Sequence, residues 1–166
     1  SGFSNNHKRN LKKAQNNLFN YTSAVNVDLI VHIFRNNKGA DISTLETSDY
    51  QRFIKLCSLA DSKQLLVTRG LFNNDILITG AVFMKFGKRL IFLFSGNSPE
   101  GKASGGLFNL LNLVIKEFAD SDMLLDFEGS TNKGLARFYK GFGGEEECYY
   151  FYKKNNLPKV LKWLKK

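Results

Sequence analysis

Leu124-Leu-Asp-Phe-Glu-Gly-Ser-Thr-Asn-Lys-Gly-Leu-Ala-Arg-Phe-Tyr-Lys-Gly-Phe-Gly-Gly144 is the stretch from which the rest of the chain is read. The apolar run 123–127 predicts a short strand, Glu128-Gly129-Ser130 a turn, and 132–140 a helix that Ser130 or Thr131 would cap. Leu135, Phe138, Tyr139 and Phe142 recur at the spacing of one buried helical stripe. Gly141, Gly143 and Gly144 predict a helix end built on left-handed backbone angles. Along an extended strand Asp126 and Glu128 share one face, opposite Met123, Leu125 and Phe127. Two carboxylates ending a strand that feeds a tyrosine-bearing helix set acid–base groups beside a crevice.

Working outward, residues 65–72, 76–86 and 89–95 read as three strands. The turn signals Asn73-Asn74-Asp75 and Gly87-Lys88 join them into an antiparallel meander, with Gly80 marking a bulge. Ser95-Gly-Asn-Ser-Pro-Glu-Gly-Lys-Ala-Ser-Gly-Gly106 reads as a loop opening a helix to about residue 120. Leu107, Leu110, Leu111, Val114, Ile115 and Phe118 supply that helix with a broad apolar face. Strand, helix and the returning strand at 123 form a βαβ crossover, which makes its two strands parallel. Nearer the start, 4–17 predicts a capped basic helix and 18–24 a short strand. Val27, Ile30, Val31 and Phe34 predict a second helix, stopped by Asn36-Asn37-Lys38-Gly39. Tyr50, Phe53, Ile54 and Cys57 mark a third, from about Ser48. Residues 145–154 predict a last, aromatic strand and 157–166 a short basic helix. One domain accommodates these parts: a lead-in helix (1–20), a helical segment (21–64), sheet and crossover helices (65–154) and a closing basic helix (155–166).

A chain of 166 residues, 43% hydrophobic and rich in Phe (15) and Tyr (6), has the composition of an ordered protein with a real core. The net charge of +9 is concentrated in His7-Lys8-Arg9 with Lys12-Lys13 and in a lysine-rich tail. Such patches attract nucleotide phosphates, nucleic acid or acidic surfaces, or are simply solvated. Cys57 and Cys148 stand far apart at no ligand spacing, and His7 and His32 have no nearby Cys or carboxylate at metal-binding spacing, so no metal site is expected. No apolar run reaches the ~20 residues of a membrane span, and a cytoplasmic location is expected.

Three groups carry candidate chemistry. Gly101, Gly105 and Gly106 before a helix would let backbone N–H groups approach a phosphate, with Lys102 adding charge, or they form a plain turn. Tyr139 would protonate a leaving group if it faces the crevice, or it is a core residue. Asp126 or Glu128 would act as a base, or would pair with Lys133, Arg137 or Arg89.

The order of these elements resembles the GNAT N-acyltransferase superfamily, whose strand-to-helix segment is similar to Asn132-x-x-x-Ala136-x-Phe138-Tyr139-Lys140-x-Phe142-Gly143. A closer resemblance is to the Fem-like branch of two-domain aminoacyl transferases and their bacterial relatives. It is carried by Lys8-Arg9-Asn10-Leu11-Lys12-Lys13-Ala14 and by Leu125-Asp126-Phe127-Glu128-Gly129-Ser130 with Ala136-Arg137-Phe138-Tyr139. The resemblance implies an α+β fold of three layers: a mostly antiparallel twisted sheet with one parallel, splayed βαβ pair, and helices on both faces. It implies acyl-CoA, acetyl-CoA in the simplest case, as cosubstrate between the splayed strands. Gly101, Lys102, Ser104, Gly105 and Gly106 would then hold the pyrophosphate, Asn132 would lie near the pantetheine arm, and Tyr139 would protonate the thiolate. It also implies that this chain is the C-terminal half of a longer protein with a GNAT-like N-terminal domain.

The glycine loop reads Lys102-Ala-Ser-Gly-Gly106 where CoA-using members carry Gln/Arg-x-x-Gly-x-Gly/Ala. Three functions stand at this point. One is acyl transfer from acyl-CoA to a small-molecule or peptide amine, with Tyr139 as acid and Asp126 or Glu128 as base. Another is Fem-like transfer from aminoacyl-tRNA to a cell-wall precursor, with tRNA as partner. The last is a non-catalytic half that supports the N-terminal domain.

Overall fold

The computed structural model describes residues 2–129 and 132–148, together with 150, 152 and 154. Its centre is a five-stranded sheet in the order β1-β2-β3-β4-β5. The strands are β1 (Asn20–Ser23), β2 (Leu66–Asn73), β3 (Ile76–Phe86), β4 (Arg89–Asn97) and β5 (Leu124–Asp126). The first four form antiparallel pairs, and β5 lies parallel to β4. The β2–β3 and β3–β4 turns put Asn74 (φ 51°) and Gly87 (φ 57°) in the left-handed region, where asparagine and glycine are least strained.

One face of the sheet carries α2 (Val27–Arg35) and α3 (Thr47–Ser62), separated by a 3-10 turn at Lys38–Asp41. The Asn26 side chain caps α2 by accepting from Asp28 N at 2.8 Å. Ile30 drops from α2 into a cluster with Val25, Cys57, Leu77 and Val82. Glycine lets α2 come this close: a Cβ on Gly80 would lie 2.6 Å from Ile30 Cγ1, and one on Gly96 would meet the Ile30 carbonyl. The bulge expected at Gly80 is therefore a helix-packing site instead. Register shifts fall between Leu71 and Phe72 and between Val82 and Phe83.

On the opposite face the expected loop at 95–106 is largely helical. β4 runs on to Asn97, and Ser98 caps a short helix α4 (Pro99–Ser104), with Pro99 at the first helical position where it loses no hydrogen bond. Gly105 (φ 74°) turns the chain into α5 (Gly106–Glu117). Leu110, Leu111 and Val114 of α5 pack on Leu71, Ile78, Ala81, Phe83, Leu90 and Phe92 of the sheet to form the larger core. A polar knot secures the far end of α5: Tyr21 Oη donates to Glu117 at 2.5 Å and Arg69 Nε at 2.8 Å. The guanidinium beside Glu117 holds its carboxyl below the usual carboxylate range. Glu117→Ala strands the Arg69 side chain, which is only 13% exposed. We expect urea unfolding of that variant to show a loss of about 1.5–3 kcal/mol, the range for hydrogen bonds to charged groups.

α1 (Asn5–Gln15) lies on the same side, across α5. Its buried residues are His7 and Ala14. After β5 comes α6 (Lys133–Lys140), where three expectations are corrected. Asn132 is the cap, accepting from Gly134 N and Leu135 N, while Ser130 and Thr131 lie outside the described residues. Leu135 is exposed, so the buried stripe narrows to Phe138, Tyr139 and Phe142. Gly141 remains right-handed (φ −64°), and only Gly143 (φ 83°) takes the left-handed turn.

The aromatic strand expected over 145–154 does not form among the described residues of that range. Adjacent carboxylates there turn to cations, Glu146 to Lys140 (3.3 Å) and Glu147 to Arg89 (3.8 Å). Tyr149, Phe151, Lys153 and the basic helix expected over 157–166 lie outside the described residues. No helix among the described residues is long and apolar enough to cross a membrane.

Candidate active site

β4 and β5 pair only at Arg89–Leu124, Leu90–Leu125 and Ile91–Asp126. Among the described residues the β4 backbone has no β5 partner beyond Ile91, and the two strands part toward their carboxyl ends. Glu128 helps to turn the chain away. Its φ of 58° ends the extended run and, with the Asp126 Oδ1 bond to Glu128 N (2.8 Å), forms a tight local turn. The alternation on which Asp126 and Glu128 would share a face is broken there. Asp126 is half-buried and ion-paired to Arg89 at 2.7 Å, and Glu128 is exposed. Of the alternatives for Asp126, the structure takes the pair with Arg89.

α6 brings Tyr139 to the mouth of this divergence. The ring lies flat on Phe127 (4.9 Å, 12°) and edge-on to Phe92 (6.2 Å), each residue coming from one wall. The phenol is half-buried, its pKa is raised by desolvation, and its hydroxyl has no hydrogen-bond partner among the described residues. The phenol therefore stays protonated through the neutral range, packed against the core aromatics of both strands.

The glycines at the α4–α5 elbow have a different environment from the one expected. A Cβ on Gly101 would lie 2.5 Å from both the Ile78 carbonyl and Thr79 Oγ1, and one on Gly106 would overlap Thr79 Oγ1. Thr79, fully buried, donates to Asn97 Oδ1 at 2.7 Å, so these glycines close around a polar pair between β3 and β4. A Cβ on Gly105 would lie 2.9 Å from the Asn10 carbonyl of α1. Ser104 Oγ donates to the Glu100 carbonyl at 2.8 Å, and Lys102 is exposed. These residues form the elbow between α4 and α5, where the faces of Gly101, Gly105 and Gly106 are filled by protein.

The sequence places His7 in a basic run and gives no sign that it is buried. It is 2% exposed, with its ring against Phe108, Phe138 and Phe142 at 4.8, 5.5 and 4.4 Å. Ser4 Oγ lies 2.9 Å from Nδ1, and Nε2 is buried with no hydrogen-bond partner among the described residues. Ser4-x-x-His7 at a helix start was the only available signal. Burial lowers the pKa of His7, with the Phe138 backbone opposing in part. The folded-state value therefore lies below the ordinary 6.5. Above 6.5 both folded and unfolded chains carry neutral His7 and the full stabilisation is present. As pH falls below that, the unfolded chain takes up the proton first, and stability is lost until the folded pKa is passed. We expect urea midpoints to drop across that window in the wild type and to lose this component in His7→Gln.

Among the described residues no cluster of three His, Cys, Asp or Glu could hold a metal ion. Both cysteines are free, and burial pushes the Cys57 thiol up to about 11, far from a reactive thiolate.

No family model and no curated protein matches the chain. Solved structures do. A possible acetyltransferase from Clostridium difficile 630 superposes with a TM-score of 0.61 at 12% identity, covering 86% of this chain and 100% of that one. AAC(6')-Iy, in complex with the bisubstrate analogue CoA-S-monomethyl-acetylneamine, gives 0.56 at 12% identity over 84% and 99%. FemX gives 0.70 at 12% identity, covering 86% of this chain but 54% of FemX, so this chain spans about half of that protein. At such identities the likeness is one of architecture: a meander, a parallel βαβ crossover and strands that part at its end are the GNAT fold, and this chain has that fold.

Proposed function

We propose that this chain is a GNAT-type N-acyltransferase that moves an acyl group from acyl-CoA to a primary amine by direct attack. The observation that carries the reading is the parting of β4 and β5 after three residue pairs, beside a half-buried phenol with no hydrogen-bond partner among the described residues. Acyl-CoA supplies an activated thioester. The β4 edge from Phe92 onward, which has no β5 partner among the described residues, would hold an extended arm, and Asn132, which caps α6, would stand near it. Lys102 offers a phosphate an exposed positive charge, whereas the packed faces of Gly101, Gly105 and Gly106 do not fit a phosphate cradle.

Tyr139 would give its phenolic proton to the sulfur as the carbon–sulfur bond breaks. The proton released by the attacking amine would go to Glu128 or to water, because Asp126 is engaged with Arg89. The likeness to a structure that binds a CoA-containing analogue supports the choice of donor. The acceptor would be a small-molecule or peptide amine. Calorimetry with acetyl-CoA tests the reading: saturable heat, and protection from unfolding by about 2.7 kcal/mol at a hundredfold excess over Kd, are expected. No heat and no protection at millimolar ligand would overturn it.

A second reading is favoured by the FemX superposition, which matches this chain to about half of that protein, and by the packed glycine elbow. In it the chain is one half of a Fem-like transferase that takes its acyl group from aminoacyl-tRNA, or a half that only supports its N-terminal neighbour. Measuring tRNA affinity against salt separates these: phosphate contacts predict a steep log–log slope, and no slope excludes the tRNA donor.

A further inference from the structure

The face where α1 crosses α5 carries an open groove of about 620 Å³ that the transferase reading leaves unused. Two helical stripes make it. Lys8, Leu11, Lys12 and Gln15 recur on one side of α1, and Asn112, Ile115 and Lys116 answer them from α5. Phe3 joins Leu11 and Ile115 to give the groove an apolar middle, with ammonium groups on both helices.

Its electrostatics are unbalanced. None of the three lysines is ion-paired among the described residues, and the α1 sequence contains no Asp or Glu at all. Lys8 and Lys12, one turn apart, repel each other, and no acidic residue in the first turn offsets Lys8. The basic tail cannot balance the groove either, since residues 148–166 contain no carboxylate side chain. The groove is therefore net cationic among the described residues, which favours an anionic occupant.

The chemistry narrows that anion. Every cation lining this groove is lysine, a compact point charge that meets phosphate oxygens without needing the planar geometry of the arginine fork. The volume falls within the ~300–1,000 Å³ typical of small-molecule sites. The apolar middle asks for a flat or greasy body beside the charges. The amides of Gln15 and Asn112 can each donate to and accept from a heterocycle edge. We propose that this groove binds a small polyphosphate ester with an apolar body, of which a nucleoside diphosphate is the simplest form.

GDP is a suitable probe, because its base is not the adenine of CoA and failure here leaves the acyl-transfer reading standing. Calorimetry on the full chain should show saturable GDP binding, with pyrophosphate alone about tenfold weaker because it leaves the apolar middle empty. The triple variant Lys8→Gln, Lys12→Gln, Lys116→Gln should bind GDP at least about tenfold more weakly. Its thermal unfolding is recorded alongside, and Lys116→Gln alone is the fallback should the triple variant not fold. Leu11→Asn should weaken GDP but not pyrophosphate. The proposal is overturned by the absence of saturable GDP binding at millimolar ligand, by equal affinity for GDP and pyrophosphate, or by unchanged affinity in the folded lysine variants. Binding to phosphatidic acid vesicles without binding to GDP overturns it as well, since the groove would then be a membrane-facing surface.

Discussion

Tyr139→Phe is expected to slow thioester cleavage by about 10²–10⁴-fold, the range for losing a positioned general acid, without destabilising the protein. Both halves of that expectation follow from one hydroxyl. It has no hydrogen-bond partner among the described residues, so removing it strands nothing, and Phe keeps the stack on Phe127. Burial raises the phenol's pKa above its ordinary 10, so the group stays protonated through the neutral range and its loss cannot be mimicked by moderate alkali. The check is thiol release from acetyl-CoA over a panel of primary amines, paired with urea unfolding. A variant as active as the wild type would return Tyr139 to the role of a core aromatic and leave the thiolate to be protonated by solvent.

Gly101→Ala separates a ligand cradle from a packing site by the sign of its effect on the free protein. Gly101 is inside α4, where alanine is the better helix former by roughly 0.8–1.0 kcal/mol. Were the glycine present only to admit a phosphate, the substitution would stabilise the unliganded chain. Instead the new methyl would overlap Asn97 Oδ1 and press on the Ile78 carbonyl and Thr79 Oγ1 at 2.5 Å. The carbonyl belongs to β3 and cannot swing aside, so the elbow must lift from the sheet. Overpacking of this kind costs about 1–3 kcal/mol, which lowers Tm by roughly 2–4 °C per kcal/mol in a domain of this size. A rise in Tm on calorimetric melting would revive the cradle.

Local chemistry accounts for what could be read in advance. Asn73-Asn74-Asp75 and Gly87-Lys88 mark the hairpins because left-handed angles need such residues, and the apolar face of α5 is continuous enough to announce the crossover. The parting of β4 and β5, which came through family resemblance, agrees with the three-pair ladder. What could not be read depends on atoms distant in sequence. A glycine shows that a side chain is unwelcome without showing what fills the space, so the sequence suggests a bulge at Gly80 and leaves Gly101 open between a phosphate contact and a plain turn. Glu128 carries no sign of its left-handed angle, and the alternation argument fails there. His7 sits in a basic run that reads as surface, and only the aromatic residues of α5 and α6 reveal that it is interior.

The hydrogen bond from Ser4 N to the Gly141 carbonyl (2.9 Å) has a kinetic consequence. The seat of the first helix is made of Phe108, Phe138 and Phe142, all synthesised long after it. Closing so long a loop is entropically unfavourable and comes after local structure has formed. During synthesis α1 thus emerges before the aromatic residues of α5 and α6 that seat it, and it settles on them only after they have followed.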